Sequence, residues 1–213
     1  MQPKSSAHYQ REYRKRLREQ GFVKKEVWVL PENARQLAIY EHELRQSAKL
    51  KISTGLMHVK GEDRMTDVIT PWTTMSLYEA LPKSSLFASD RAELELIDGV
   101  APALHIVMNE FGDLPIFVTV SGEQILVESL LWSVTEVKNI AQFNEAILRT
   151  HKYFPLSTIS LDKIDGDDCY HMFGALSSTS SLQNIVFEIE ILASNVIQAT
   201  EAYADFLVTD VNS

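Results

Sequence analysis

At 213 residues, with 45% apolar and 23% charged positions, the chain has the composition of a folded globular protein, long enough for one ordinary domain and an appendage. No window approaches the roughly 18 uninterrupted apolar residues of a membrane-spanning helix, and the opening MQPKSSAHYQREYRKRLREQ lacks the apolar stretch of a secretory signal. A single cysteine, Cys169, excludes an internal disulfide and a cysteine-built zinc site and suits a reducing cytoplasm.

The formal charge of −9 is unevenly distributed. Residues 1–50 hold 11 Lys and Arg against 6 Asp and Glu, and the remainder holds 9 against 23. A basic arm on an acidic body points either to an anionic partner of the arm (nucleic acid, lipid or an acidic protein) or to neutralisation of the chain's own body.

Residues 8–20, HYQREYRKRLREQ, are strong helix formers with few apolar positions, and Gly21 follows where a helix-terminating left-handed residue belongs. This predicts a short, mostly solvated helix. FVKKEVWVL then alternates around Val27 and Val29, a strand signal. Pro31, Glu32 and the apolar Leu37, Ile39, Tyr40 and Leu44 predict a helix over about 32–48. Residues 1–50 therefore read as a helix-strand-helix arm. Residues 51–69 hold no sustained period and contain Gly55 and Gly61, so they read as a linker.

The main domain spans 70–213. WTTMSLYEAL (72–81) predicts a short helix ending before Pro82, because a residue preceding proline is pushed out of the α region. AELELI (92–97), ALHIVMN (103–109), LPIFVTV (114–120) and QILVESLLW (124–132) alternate or run apolar between Asp98-Gly99, Gly112-Asp113 and Ser121-Gly122. They read as hairpin-connected strands. Ile140, Phe143, Ile147 and Leu148 share helical spacing over 140–152, with a stop near Pro155. STISLDKI (157–164) and CYHMFGAL (169–176) flank a turn at Asp165-Gly166-Asp167-Asp168. SLQNIVFEIEILASNVIQATEAYADFL (181–207) carries Leu182, Ile185, Val186, Ile189, Leu192, Ala193, Val196 and Ile197 on one stripe of a long helix, which serves the chain's own core or a dimer contact. The order gives an α+β domain, an antiparallel sheet with helices packed on one face.

The stretches LPIFVTVSGEQILVESLLW (114–132), FNEAILRTHKYFPLSTISL (143–161) and MFGALSSTSSLQNIVFEIEILASNVIQATEAYADFL (172–207) closely resemble the YjfI family of uncharacterised bacterial proteins, and the likeness covers about residues 66–207. That family resembles secretion chaperones of the Tir/CesT type and YbjN-like domains, which implies a chaperone-like fold and a homodimer in the bacterial cytoplasm. The resemblance also implies a coiled-coil partner of the PspA type, a membrane-stress protein. It supplies no catalytic residues. The arm separately resembles ribbon-helix-helix regulators, with KKEVWVL as the basic strand that pairs with its dimer mate and reads a DNA groove. It departs from them in showing no second helix within 49–69.

Candidate sites follow from chemistry. Arg11, Arg14, Lys15 and Arg18 fall at i, i+3, i+4 and i+7, so they share a helix face. With Arg16, Lys24 and Lys25 they form a basic cluster, either a contact for nucleic acid or another anionic partner or a solvated face. Tyr9 and Tyr13 either stack beside it or pack inward. Val27, Trp28 and Val29 form the candidate dimerisation strand.

No enzyme is expected. Cys169 lies between Asp168 and Tyr170 on a predicted strand, where acids oppose thiolate formation and a small buried thiol is the ordinary outcome. Asp165, Asp167 and Asp168 resemble the opening of a calcium loop, but no Glu follows before 188, so a hairpin turn is the reading. His8, His42, His58, His105, His151 and His171 lack paired zinc spacing, and His151 reads as a helix C-terminal cap. Ser177-Ser178-Thr179-Ser180-Ser181 lacks the glycines and lysine of a nucleotide loop and reads as a turn with Ser180 or Ser181 as N-cap. No cofactor or metal is therefore expected. The function expected is a protein-binding adaptor or chaperone-like protein, with a DNA-binding regulator acting through residues 8–48 as the alternative.

Overall fold

The computed structural model describes residues 6–24 and 70–208, together with Val27, Leu37 and Tyr40. The chain divides into two compact units, Met1–Phe22 with Thr70–Ser213, and Val23–Ile69. Within the second unit Leu37 and Tyr40 are helical; the rest of the helix expected over 32–48, and the linker 51–69, lie outside the described residues.

The first unit is built on six antiparallel strands: β1 (Ala92–Ile97), β2 (Ala103–Met108), β3 (Leu114–Ser121), β4 (Gln124–Ser133), β5 (Thr158–Ile164) and β6 (Asp167–Ser177), in spatial order β1-β2-β3-β4-β6-β5. Three meander hairpins are followed by a crossover that places β6, not β5, beside β4. The turn joining β5 to β6 is Asp165-Gly166 alone, with φ of 51° and 97°, and Ile164 pairs with Asp167. Both turn residues occupy the left-handed region that a two-residue hairpin requires. The Asp-rich run is therefore a hairpin, and Asp167 and Asp168 already belong to β6.

The helices of the first unit, among the described residues, are α1 (Ser6–Glu19), α2 (Thr74–Ala80), α3 (Ser85–Ala88), α4 (Ile140–Thr150) and α5 (Leu182–Ala202). This is an α+β fold. Leu77 of α2, Leu86 of α3, Phe143 and Ile147 of α4, and Ile185, Ile189 and Leu192 of α5 join Leu104, Ile106, Ile116, Val118, Val127 and Met172 of the strands in one core. In the chain's second half Phe143 packs edge-on to Trp132, Tyr170 and Tyr203, with centroids 5.6, 4.9 and 5.3 Å apart. A bulge between Leu130 and Trp132 turns both Leu131 and Trp132 into the core.

Polar side chains start the helices. Asn139 caps α4 by accepting from the Gln142 amide at 3.1 Å, and Ser181 caps α5 by accepting from the Asn184 amide at 3.2 Å. Of the two serines offered for α5, Ser181 holds the position. Ser181→Ala is expected to cost about 1 kcal/mol, measured by urea denaturation, while Ser180→Ala leaves the midpoint unchanged.

Three expectations are corrected. Helix α2 ends at Ala80, before Pro82 as expected, but Leu81 stays in the right-handed region (φ −55°, ψ −40°), and the chain runs on as a 3-10 turn over Leu81–Lys83 before α3, which the sequence pattern did not announce. The fully buried Leu77, Leu81 and Leu86 hold this irregular stretch against its local preference. The long helix stops at Ala202 rather than continuing to 207; a 3-10 turn over Ala204–Phe206 follows, and Leu207 bridges to Val137.

The third correction concerns α1, which is not mostly solvated. Ser6, Gln10 and Tyr13 are buried, and the Tyr13 ring stacks on Phe111 with centroids 5.3 Å apart. Arg16 donates to the Asn109 carbonyl and makes a bidentate pair with Asp113 at 3.0 and 2.7 Å. The close approach depends on Gly112 at φ +80°, where an added Cβ would stand 2.7 Å from the Tyr9 carbonyl oxygen. Gly112→Ala is expected to lose about 2 kcal/mol from the left-handed backbone and the clash together, with faster amide exchange in α1 as the local signature.

Candidate protein-interaction surface

Strand alternation gives the sheet a second face, opposite the one on which the first unit's described helices pack. Its register is set by cross-strand pairs. Glu95, His105, Phe117, Glu128, Phe173 and Thr158 lie opposite one another in a single row across all six strands. A second row contains Thr119, Leu126 and Ala175, and a third contains Leu130, His171 and Ser160. Phe117, Leu126, Leu130 and Phe173 are half-buried.

The centre of this face is apolar, and its charged groups are acids, with two histidines beside them. His105 stacks on Phe117 at 5.1 Å and meets Glu95 through Nδ1 at 3.3 Å. His171 Nδ1 is 3.9 Å from Glu128 Oε2, and both ring nitrogens of His171 are inaccessible and without a hydrogen-bond partner. Glu93, Glu95, Glu128, Asp162 and Asp167 share this face, and the six strands place no lysine or arginine on it.

The basic residues of α1 separate into two groups. Arg11, Arg14, Lys15 and Arg18 are exposed, as their shared spacing predicts, whereas Tyr9, Gln10, Tyr13 and Leu17 face the body. Tyr9 and Tyr13 therefore pack inward rather than flanking a ligand. Arg14 pairs with Glu201 at 3.0 Å and Arg18 donates to the Arg14 carbonyl at 3.2 Å. Lys24 is described, while Lys25, Trp28 and Val29 lie outside the described residues; Val27 is exposed.

The other candidates are structural. Cys169 is buried, and burial, then Asp167, Glu136 and Asp168, push its thiol pKa up, away from a nucleophile. His151 caps α4, and its Nδ1 meets Thr158 Oγ1 at 2.6 Å. Ser177 and Thr179 hydroxyls bond each other at 2.8 Å within their turn. No cluster of three metal-ligating side chains occurs among the described residues. An open cleft of about 500 Å³ between the ends of α4 and α5 is lined by Tyr153, Phe154, Gln198, Glu201 and Tyr203. No helix among the described residues is long and apolar enough to cross a membrane.

Two groups escaped the sequence reading. Glu188, on the buried side of α5, has Oε1 inaccessible and unbonded, and its carboxyl pKa is pushed up to about 7 by burial. It lies against Gly174 of β6, where an added Cβ would sit 1.6 Å from Oε1. A mid-strand glycine often marks such a close approach. Asn195, two helical turns further on, donates to the Pro155 carbonyl at 2.8 Å and to Ser157 Oγ at 2.9 Å.

Fold and surface together define an α+β domain with helices on one face of an antiparallel sheet and an acidic, apolar-centred face opposite. Residues 71–207 match the family described as an uncharacterised protein conserved in bacteria, DUF2170, and the chain belongs to that family. The uncharacterised protein YjfI of Escherichia coli strain K12 is 35% identical over 104 residues, covering 49% of this chain and 78% of YjfI. The same figures hold for YjfI of Escherichia coli O157:H7. Among solved structures, an uncharacterised protein from Methanothermobacter thermautotrophicus is similar with a TM-score of 0.46 and 12% identity, covering 62% of this chain and 99% of that one. YbjN from E. coli is similar with a TM-score of 0.41 and 12% identity, covering 55% and 87%.

Proposed function

We propose that the chain is a non-enzymatic, cytoplasmic adaptor or chaperone-like protein, working as a homodimer, that binds another protein on the face of its sheet opposite the described helices. The observation that carries this reading is that face itself, with Phe117, Leu126, Leu130 and Phe173 at its centre and carboxylates around them. A contiguous surface of this kind costs solvation if left bare and gains from a partner that covers it. The partner implied by the YjfI resemblance is a coiled-coil protein of the PspA type, which would place the chain in a membrane-stress response.

A second reading, a DNA-binding regulator, draws on Arg11, Lys15 and Arg18, exposed on one side of α1. One experiment separates them. Full-length protein is used to capture partners from host lysate, with and without nuclease, beside the variants Phe117→Ser/Leu126→Ser and Arg11→Ala/Lys15→Ala/Arg18→Ala. The adaptor reading expects a nuclease-resistant protein retained by the α1 variant and reduced at least tenfold by the sheet variant. Retention that disappears with nuclease and needs Arg11, Lys15 and Arg18 would transfer the function to the DNA reading. In that case the α1 variant also lowers the slope of log K against log salt by about 0.9 for each lost phosphate contact.

A further inference from the structure

The chemistry of this sheet face narrows the kind of partner, and this step rests on the adaptor reading. On that face the strands carry five carboxylates, Glu93, Glu95, Glu128, Asp162 and Asp167, and no lysine or arginine. Glu93 and Glu95 stand on one edge strand, Asp162 on the other, and Glu128 in the middle of the sheet. Between the edges lie Phe117, Leu126, Leu130 and Phe173. An apolar floor bounded by negative charge on both sides fits an apolar stripe bounded by positive charge on both sides.

We propose that this face docks an amphipathic helix of a partner protein, with an apolar stripe flanked by lysines and arginines. The helix axis runs along β3 and β4. β4 has ten residues, a length of about 33 Å at roughly 3.3 Å per residue. A helix of about 20 residues spans it at roughly 1.5 Å per residue. Its anchors at i, i+3, i+4 and i+7 meet Phe117, Leu126 and Leu130, as in helix-in-groove recognition. Its basic flanks reach Glu95 on one side and Asp162 on the other, while a central Lys or Arg displaces the His171 contact of Glu128, 3.9 Å long in the free protein. A single helix buries an area at the low end of specific interfaces, so micromolar affinity is expected.

The probe is a labelled 20-residue Leu/Lys peptide of amphipathic spacing, compared with its Leu/Glu twin, titrated into full-length protein by fluorescence anisotropy. The basic peptide is expected to bind at least tenfold more tightly than the acidic one. Glu95→Lys/Glu128→Lys should reverse that preference, and Phe117→Ser should weaken the favoured peptide about tenfold. Asp165→Lys/Asp168→Lys makes the same change of charge in the β5–β6 hairpin and should leave the preference in place. Circular dichroism melts establish that each variant is folded. The proposal is overturned if the hairpin variant reverses the preference as well as the sheet variant does, since attraction would then follow net charge rather than this face. It is also overturned if a photo-crosslinker at position 126 joins the face to residues 23–69 of the same chain or to a second copy while the peptide fails to compete. Loss of the peptide result with lysate capture still dependent on Phe117 and Leu126 would remove the helix alone; loss of both would remove the adaptor reading as well.

Discussion

Glu188→Gln is expected to make the protein more stable above pH 7 and to remove a fall in stability that the native chain shows between about pH 4.5 and 7. The carboxyl titrates near 4.5 when solvated, and burial against Gly174 raises that to about 7 in the folded protein. Desolvation is the cause, and the unbonded Oε1 shows that no donor offsets it. The sign follows from proton counting. Between the two pKa values the folded state holds a proton that the unfolded state has released, so unfolding gains as pH rises. The stabilising contribution is complete below about 4.5 and lost above about 7, a difference on the order of 3 kcal/mol. Urea denaturation at pH 5, 6, 7 and 8 should show a falling native curve and a flat Gln curve that meet at the acid end. Curves that run parallel across the range would rule out an ionising carboxyl in the core. Gly174→Ala tests the same contact from the strand side, because its Cβ leaves no room for Oε1 and must drive the side chain out.

Why Glu188 stayed hidden in the sequence is instructive. It lies three residues after Ile185 and four before Leu192, inside the stripe that faces the sheet, but a charged residue in that position reads as the stripe's border. The glycine in CYHMFGAL was the available signal, and it acquires meaning only when α5 is known to cross that strand. Much else was legible because local chemistry decides it. The alternation of AELELI matches β1 from end to end, the run Asp165-Gly166-Asp167-Asp168 reads as a hairpin turn although only its first two residues form it, and Ser181 is one of the two serines that fit the N-cap of α5. Which face of the sheet lies away from the helices was not legible. LPIFVTV and QILVESLLW are apolar on both parities, so period alone cannot say whether Phe117 and Leu126 or Val118 and Val127 meet the helices. That assignment depends on the crossover that puts β6 beside β4 and sets α5 over one side of the sheet. The basic arm misled for a similar reason. Tyr9, Tyr13 and Leu17 recur every four residues, a narrow stripe among the seven charged residues of α1, and the surface that receives it lies at Phe111, far along the chain.

Tyr13→Ala is accordingly expected to destabilise the whole first unit by about 3 kcal/mol rather than to free a dispensable arm. Tyr13 and Phe111 are each 8% exposed and their rings are stacked, with an interplanar angle of 10°. Truncating a buried aromatic side chain to alanine typically costs 3–5 kcal/mol, and the lower end applies where the site lies at the rim of the core and can collapse. The polar contacts of the same helix contribute far less. Arg14 and Glu201 are about half exposed, so Arg14→Ala should cost under about 1 kcal/mol, and less again at high salt. Arg16 stands between them, because it joins the Asn109 carbonyl and both carboxylate oxygens of Asp113. The ranking Tyr13, then Arg16, then Arg14 can be read from midpoints of equilibrium unfolding followed by tryptophan fluorescence, since Trp132 is buried within the same core. A cooperative shift of that signal in Tyr13→Ala would establish that α1 folds with the sheet and that Arg11, Lys15 and Arg18 are presented from a fixed helix. If Tyr13→Ala leaves the Trp132 transition unmoved, α1 is only loosely held on the body, and any contact made by its basic face must instead be ordered by the partner at the moment of binding.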